Sequence, residues 1–411
     1  MTRLLRDTFE EWADEAEVPG DLADRALRRR APWLPIGAAL LVGAMIAAVA
    51  VFVTWRADPV VVPADGVQLP ARPSPAPTDV RTDTENVPPA KLIAAGTMAV
   101  SAYYQYSVEL IENGLKRVRY AWSLYDPRTG GYERTPYAWV DVAPGLQVAA
   151  VVEGDVMGKR VGVLDMNTRQ MLAWYELEHD VASVAWSPDG TRILATAYSE
   201  YPDLQESLGE EFGPRMAPSP RTGYYVIDVP AGTTDYHELA PLPTMGESLL
   251  PQRAPGDPAV RRRQLEGNAR QDLGWSLDGT LIWSLTNTHP DRVWYTIDGK
   301  EAEAPAGQHY VGHSRHSALS PDGRLLLGDD GLPTKITDVR TGEVAGRQRV
   351  LQLHAWAGDD EVIALGCAGK CENEFKNGLV LVSVDGSRAT QLAANSNSQA
   401  DGAWRAVLTP R

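Results

Sequence analysis

The feature that most constrains this chain is a short unit that returns along its C-terminal three quarters. Val184-Ala185-Trp186-Ser187-Pro188-Asp189-Gly190-Thr191-Arg192-Ile193-Leu194 reads as an apolar strand, a tight turn and a second apolar strand. The order recurs at Leu273-Gly274-Trp275-Ser276-Leu277-Asp278-Gly279-Thr280-Leu281-Ile282 and at Ala318-Leu319-Ser320-Pro321-Asp322-Gly323-Arg324-Leu325. Looser copies surround Trp139 and Trp356, and a truncated one surrounds Trp404. Pro sets φ for such a turn, Asp bonds its own backbone, and Gly takes the positive-φ position. Asp189-Gly190, Asp278-Gly279 and Asp322-Gly323 are therefore expected as turns. The residues before them, Trp139, Trp186, Trp275, Leu319, Trp356 and Trp404, are expected as anchors buried between neighbouring sheets. With 36 Gly and 30 Pro in 411 residues, long helices cannot dominate.

A second element lies between these copies, a strand ending in Asp and a turn, at Asp126, Asp165, Asp228, Asp298, Asp338 and Asp385. Each reads as a hairpin between the outer strands of a four-stranded sheet. Both elements occur six times, but offset: the hairpin at Asp126 precedes the first anchor, and the anchor at Trp404 comes last. A ring resolves the offset. The strand around Trp404–Leu408 would complete the sheet whose outer strands come from about Val118–Glu133, leaving no sheet edge exposed. The expected fold class is all-β, a six-bladed β-propeller over residues 92–411, closed by pairing of C-terminal and N-terminal strands.

The Trp-Ser-Pro-Asp-Gly cores at 186–190, 275–279 and 319–323 resemble the repeats of six-bladed TolB-like and related WD40-like propellers. The resemblance covers roughly residues 95–411 and implies a fold rather than a function, because such propellers serve many roles. In TolB the propeller is periplasmic and binds protein partners. This chain has no matching N-terminal α/β domain, so the Tol-system role is not implied. Its N-terminal layout, and Arg far above Lys, resemble membrane-anchored propeller proteins of high-GC Gram-positive bacteria (actinobacteria).

From Ala31 to Trp55 there is no charged residue. The stretch Trp33–Trp55 is about 34 Å long as a helix, enough to cross a ~30 Å hydrocarbon layer, with a Trp at each end. A transmembrane helix is expected over 32–56. Arg25, Arg28, Arg29 and Arg30 precede it, whereas Arg56 is offset by Asp58, which puts residues 1–31 in the cytoplasm and the rest outside. The alternative is a cleaved signal peptide with small residues at Ala48-Val49-Ala50, but the run is too long and the leader too elaborate. Leu5, Phe9, Trp12 and Ala16 form one face of an acidic helical tail. That tail either docks a cytosolic protein through Leu5, Phe9 and Trp12 or only orients the span. Residues 57–91 hold eight prolines and read as an extended linker.

The net charge of −15 leaves no global basic field for nucleic acid. Residues 1–31 carry 6 basic and 8 acidic side chains, so −13 belongs to the remainder. A polyanionic partner is therefore not expected there.

Trp186 to Trp275 spans 89 residues, against 37 to 48 between the other neighbouring anchors. The excess falls in two insertions. One, 199–222, is acidic, with Tyr201, Glu206, Glu210, Glu211 and Phe212; the other, 240–271, is basic, with Arg253, Arg261, Arg262, Arg263 and Arg270. Insertions on a rigid scaffold are where binding is built, or these two pair with each other.

Signatures of chemistry are sparse. His309, His313 and His316 have a spacing that invites a zinc reading, but a period-2 strand would not point all three one way. Gly312-His313-Ser314-Arg315-His316 ends in His where a nucleophile elbow needs Gly. Sialidase-type Asp boxes need a residue between Asp and Gly, and no Walker loop or dinucleotide fingerprint occurs. Asp329-Asp330 and Asp359-Asp360 read as turn residues. Cys367 and Cys371, with Gly369 between them, suit a small local disulfide in an oxidising compartment. No cofactor or metal is expected. The favoured function is a membrane-anchored binding or sensing module for a protein, peptide or glycan. The alternatives are a propeller hydrolase or lyase with a funnel site invisible in sequence, and a transmembrane regulator whose tail binds a cytosolic partner. The latter layout resembles transmembrane anti-sigma factors without their zinc-binding motif.

Overall fold

The computed structural model describes residues 66–111, 115–206, 219–243, 269–286, 291–328 and 333–411. The expected tail, the expected span, the linker before Gly66 and the middle of both insertions lie outside the described residues. Among the described residues no helix is long and apolar enough to cross a membrane, and every regular element is a β-strand.

The strands follow one another as antiparallel meanders. β1 (Ala94–Ala95), β2 (Met98–Leu110), β3 (Leu115–Asp126) and β4 (Gly131–Arg134) begin the chain's first sheet. β5 (Trp139–Val142), β6 (Val148–Val152), β7 (Gly158–Asp165), β8 (Met171–Trp186) and β9 (Arg192–Tyr198) follow. The short β10 (Leu204–Glu206) crosses back to pair with β3. β11 (Arg221–Asp228) and β12 (Thr233–Glu238) complete a seven-stranded sheet, β12-β11-β9-β8-β7-β6-β5. Within it β8 changes partner: Met171–Glu176 pairs with β7 and Ser183–Trp186 with β9, while Val181 stands between Gly158 and Ala197.

Next come β13 (Leu273–Trp275), β14 (Leu281–Leu285), β15 (Arg292–Thr296) and β16 (Glu301–Ala302), a four-stranded sheet. β17 (Leu325–Leu327), β18 (Thr334–Asp338) and β19 (Val344–Gln348) form another, extended by an isolated bridge from Leu319 to Leu326. β20 (Gln352–Trp356), β21 (Glu361–Gly366), β22 (Lys376–Ser383), β23 (Ala389–Gln391) and β24 (Ser396–Asn397) form the next. The last strand, β25 (Trp404–Pro410), returns to the first sheet and lies antiparallel to β2, from Met98 opposite Pro410 to Gln105 opposite Trp404. This pairing joins the two ends of the domain, and the architecture is an all-β propeller.

The turns explain why the repeat folds this way. Asp278 Oδ1 accepts from Ser276 Oγ at 2.6 Å and from Thr280 N at 3.0 Å, and Gly279 sits at φ +70°. Asp189 and Asp322 are bonded in the same way by Ser187 and Ser320, with Gly190 and Gly323 at φ +70° and +74°. The residue after the anchor donates across each turn, Ser187 to Arg192 O, Ser276 to Leu281 O, Ser320 to Leu325 O and Ala357 to Glu361 O. Trp186, Trp275, Leu319 and Trp356 thus share one register position. In the other two copies the equivalent donors are Ala143, to Val148 O, and Arg411, to Thr97 O. That position is therefore held by Val142 and Pro410. Trp139 and Trp404 lie at the opposite ends of their strands, because the turn, not the tryptophan, sets the register.

Apolar clusters fill most seams between successive sheets. Val163, Val184, Trp186 and Ile193 pack between the halves of the seven-stranded sheet, and Val100, Ile363, Leu381 and Leu408 between the closing sheet and β20–β22. Three indoles stitch sheets together: Trp122 Nε1 donates to Ala138 O at 3.1 Å, Trp275 Nε1 to Ala185 O at 3.0 Å and Trp356 Nε1 to Ala318 O at 2.9 Å. The seam between β13–β16 and β17–β19 is different. There Arg292 lies over Trp283 and Tyr310 and donates to the carbonyls of Gly312 and Ser314.

From Gly66 to Lys91 the Pro-rich stretch is held along the propeller rather than standing free. Val67 is buried and its N–H bonds Val229 O; Arg72 donates to Pro188 O. Asp79 pairs with Arg411, and the buried Asp83 accepts from the N–H groups of Ala90 and Lys91. Proline content signals a stiff, extended backbone, but the side chains between the prolines supply contacts that composition does not reveal. Of these contacts, that of Arg72 falls on the Asp189-Gly190 turn, and Val67 meets Val229, whose N–H bonds Thr191 O just beyond it. The longer connections, including what is described of both insertions, leave the opposite strand ends.

Candidate functional site

A hollow on the long-loop side lies where the ring closes. It is a cavity of about 410 Å³ between β25 and the β20–β22 sheet. Gln352 and His354 come from β20, Asn377 from the start of β22, Ser396 and Ser398 from the connection to β25, and Trp404 and Arg405 from β25 itself. Leu365, Leu379, Ala406 and Leu408 supply the apolar floor, and no Asp or Glu is among the described residues that line it. Arg405 donates to the carbonyls of Trp404 at 3.1 Å and Ser398 at 2.9 Å, and its guanidinium sits 5.6 Å from the Tyr106 ring. Burial pushes the His354 imidazole down to about 4, so it is neutral at pH 7. The wall thus offers uncharged amide, hydroxyl and imidazole groups beside an indole, with one cation at the rim. Such a wall suits recognition of a polar, extended ligand. It lacks the paired carboxylates that acid–base hydrolysis uses.

Leu408 also lies beside an ion pair between distant parts of the chain. Arg315, entering from the connection before Leu319, places Nη1 2.7 and 2.8 Å from the two carboxylate oxygens of Asp141 on β5, and Nη2 3.3 Å from Leu408 O. Asp141 also accepts from Trp186 N at 2.8 Å. His316, next in the chain, is pushed down to about 3 by burial, with Arg315 and His354 adding to the effect. His309 and His313 are exposed. Among the described residues no three of His, Cys, Asp and Glu are grouped as metal ligands would be.

The two insertions meet at Arg270. Its Nε donates to Asp203 Oδ2 at 2.6 Å and its Nη1 to Asp272 and to Ala182 O, while the guanidinium lies over Trp139 at 4.6 Å and near Tyr120 and Tyr201. Burial opposes its charge, but Asp272 and Asp203 win and hold it protonated. Tyr201 donates to Val118 O at 2.6 Å. At their described ends the two insertions therefore meet through Arg270 and Asp203, and Trp139 belongs to this cluster. Sequence reasoning named Arg270 and Tyr201 but missed Asp203 and Asp272, whose importance comes from burial rather than spacing.

Cys367 and Cys371 form a disulfide, with Cα atoms 5.4 Å apart. It lies between β21 and β22, just beyond Leu365 and Asn377 of the cavity wall. Asp359 Oδ1 accepts from Asp322 N, a bond between neighbouring turns. Asp329 and Asp330 lie outside the described residues, as do Leu5, Phe9 and Trp12.

No protein-family model and no curated protein matches the chain. Among solved structures it is similar to TolB from Acinetobacter baumannii, at 14% identity and TM-score 0.36 over 76% of this chain and 67% of that one. It is also similar to the Cps50 (Swd1) β-propeller domain of Myceliophteria thermophila, at 12% identity and TM-score 0.34 over 73% and 88%. A third is an oligogalacturonate lyase in complex with manganese, at 10% identity and TM-score 0.36 over 77% and 86%. Likeness at this level says nothing of what this chain binds or converts.

Proposed function

We propose that the protein is a membrane-anchored binding module whose propeller lies outside the cytoplasm and receives a protein or peptide partner at the closing cavity. The observation that carries this reading is the cavity wall: neutral polar groups and an indole with the Arg405 cation at the rim, and no carboxylate among the described lining residues. The charge-free run 32–56 and the Arg cluster before it support the anchor and its orientation. A ring of six blades is part of the proposal. It counts the halves of the seven-stranded sheet separately, on the change of partner within β8.

Two experiments test it. Protease added to intact cells should remove an epitope placed after Arg411 and spare one at the N-terminus; the reverse pattern overturns the topology. Ser398→Trp, which fills the cavity, should abolish recovery of the partner that co-purifies with the wild-type chain while leaving the melting temperature unchanged. Undiminished recovery overturns the cavity reading. The tail is proposed as a second docking element through Leu5, Phe9 and Trp12. Phe9→Ala with Trp12→Ala should remove a cytosolic partner only, and an unchanged set of partners excludes it.

A further inference from the structure

β2 outruns its neighbour at the ring closure. β25 pairs with it only as far as Gln105, opposite Trp404. β3 continues on its other side to Leu110, opposite Lys116. Among the described residues, Tyr106–Leu110 therefore presents one unpaired backbone edge, about 13 Å long. Native edges are usually protected by Pro, Lys or an inward charge. This stretch has no Pro or Lys, and its single charge, Glu109, is bound by Arg117 and Arg119.

Tyr106, Val108 and Leu110 share one face by the period of two. Val108 is 52% and Leu110 73% exposed, the latter the most exposed of the large apolar residues described. The face is bounded by cations. Lys116 stands opposite Leu110 at one end, and Arg405 lies over Tyr106 at the other. The hydrogen bonds of Arg405 go to carbonyls, and among the described residues no carboxylate pairs with either cation. Tyr104, Ser398 and Arg405, at the inner end of the edge, also line the closing cavity.

We propose that this edge takes an extended acidic peptide of a partner protein as an added strand. The inference rests on the binding-module reading and extends it to the partner's chemistry. A row of free backbone donors and acceptors is satisfied by another extended backbone. The face beside it asks for an apolar residue against Val108 flanked, two residues away on each side, by carboxylates that meet Lys116 and Arg405. The added strand runs out of the cavity, so cavity and edge form one continuous surface.

The test uses the full-length protein and two fluorescently labelled, end-capped heptapeptides, Thr-Glu-Thr-Val-Thr-Glu-Thr and Thr-Lys-Thr-Val-Thr-Lys-Thr, titrated by anisotropy. The acidic peptide should bind at least about tenfold more tightly, and its binding should weaken as salt rises. It should slow hydrogen exchange at the amides of Tyr106–Leu110. Val108→Glu with Leu110→Glu, both at exposed positions, should lose at least about tenfold in affinity with unchanged unfolding. Equal affinities for the two peptides, no binding, or unslowed exchange at this stretch overturns the proposal. Ser398→Trp separates the two readings. Peptide binding that is indifferent to the edge substitutions but lost on filling the cavity overturns the edge and leaves the cavity standing. Peptide binding retained in Ser398→Trp and lost in the edge variant supports the edge whatever becomes of the cavity.

Discussion

Arg315 and Asp141, 174 residues apart in the chain, meet as an ion pair with one guanidinium nitrogen 2.7 and 2.8 Å from both carboxylate oxygens. Asp141 lies on β5 and is buried; Arg315 comes from the connection before the Leu319 turn and also reaches Leu408 O on β25. One side chain thereby ties three sheets together. Arg315→Ala leaves the Asp141 carboxylate buried without its cation, and should cost about 2 kcal/mol in urea unfolding. Arg315→Ala in an Asp141→Asn background should cost clearly less. Equal costs in the two backgrounds would show that the pair is not coupled.

Asp79 joins the Gly66–Lys91 stretch to the closing strand through Arg411, whose guanidinium also donates to Gly96 O. Asp79 is half exposed, so Asp79→Ala should cost only about 1 kcal/mol globally. Locally it should do more, exposing residues 73–78 to limited proteolysis and speeding exchange at the Thr97 amide. If cleavage in that stretch is as fast in the wild type, the stretch is not held by this contact.

Gly96 turns the chain between β1 and β2 with φ +54°, and a Cβ there would lie 1.7 Å from Ala357 O on the neighbouring sheet. No small shift relieves a clash with backbone. Gly96→Ala should destabilise by more than about 2 kcal/mol and loosen the closing seam first. Gly307→Ala, at a comparable φ but with open space around it, should cost only about 1 kcal/mol. Similar losses for the two would remove close packing as the cause.

His316 and His354 bear on the pH response. Burial lowers them to about 3 and about 4, below the ordinary value of about 6.5. Between those values the unfolded chain takes up protons that the folded one refuses. Their stabilising contribution is complete above about pH 6.5 and is lost progressively as pH falls toward 4 and below. Urea midpoints by tryptophan fluorescence should drop between pH 7 and 4.5, and His354→Asn should flatten that slope. A wild-type midpoint independent of pH in that window would contradict the burial of both rings.

Much of the fold was legible because its signals are local. The turn Asp278-Gly279 needs only its own neighbours, so it stands out in the sequence, and the offset between turns and hairpins pointed to the C-terminal strand completing the sheet that holds β3 and β4. The disulfide was legible for the same reason. What depends on register was less so: Trp139 and Trp404 mark repeats yet sit at the far ends of their strands, with Val142 and Pro410 at the position expected for them. The cavity was not legible, since Gln352, Asn377, Ser398 and Trp404 come from separate elements with no shared spacing. The role of Gly66–Lys91 was hidden because proline content reports stiffness and not contacts such as Asp79 with Arg411. Arg270 was visible as one charge among several; only burial singles it out with Asp203.

The central claim is that the closing cavity receives a polypeptide. A photo-crosslinking residue placed at Gln352, exposed at the cavity, tests it most directly in living cells, with Val80 on the Gly66–Lys91 stretch as the control position. The account predicts a covalent adduct with a polypeptide at Gln352, absent at Val80 and abolished by Ser398→Trp. No adduct at Gln352, or one that forms equally at Val80 and persists when the cavity is filled, would contradict it.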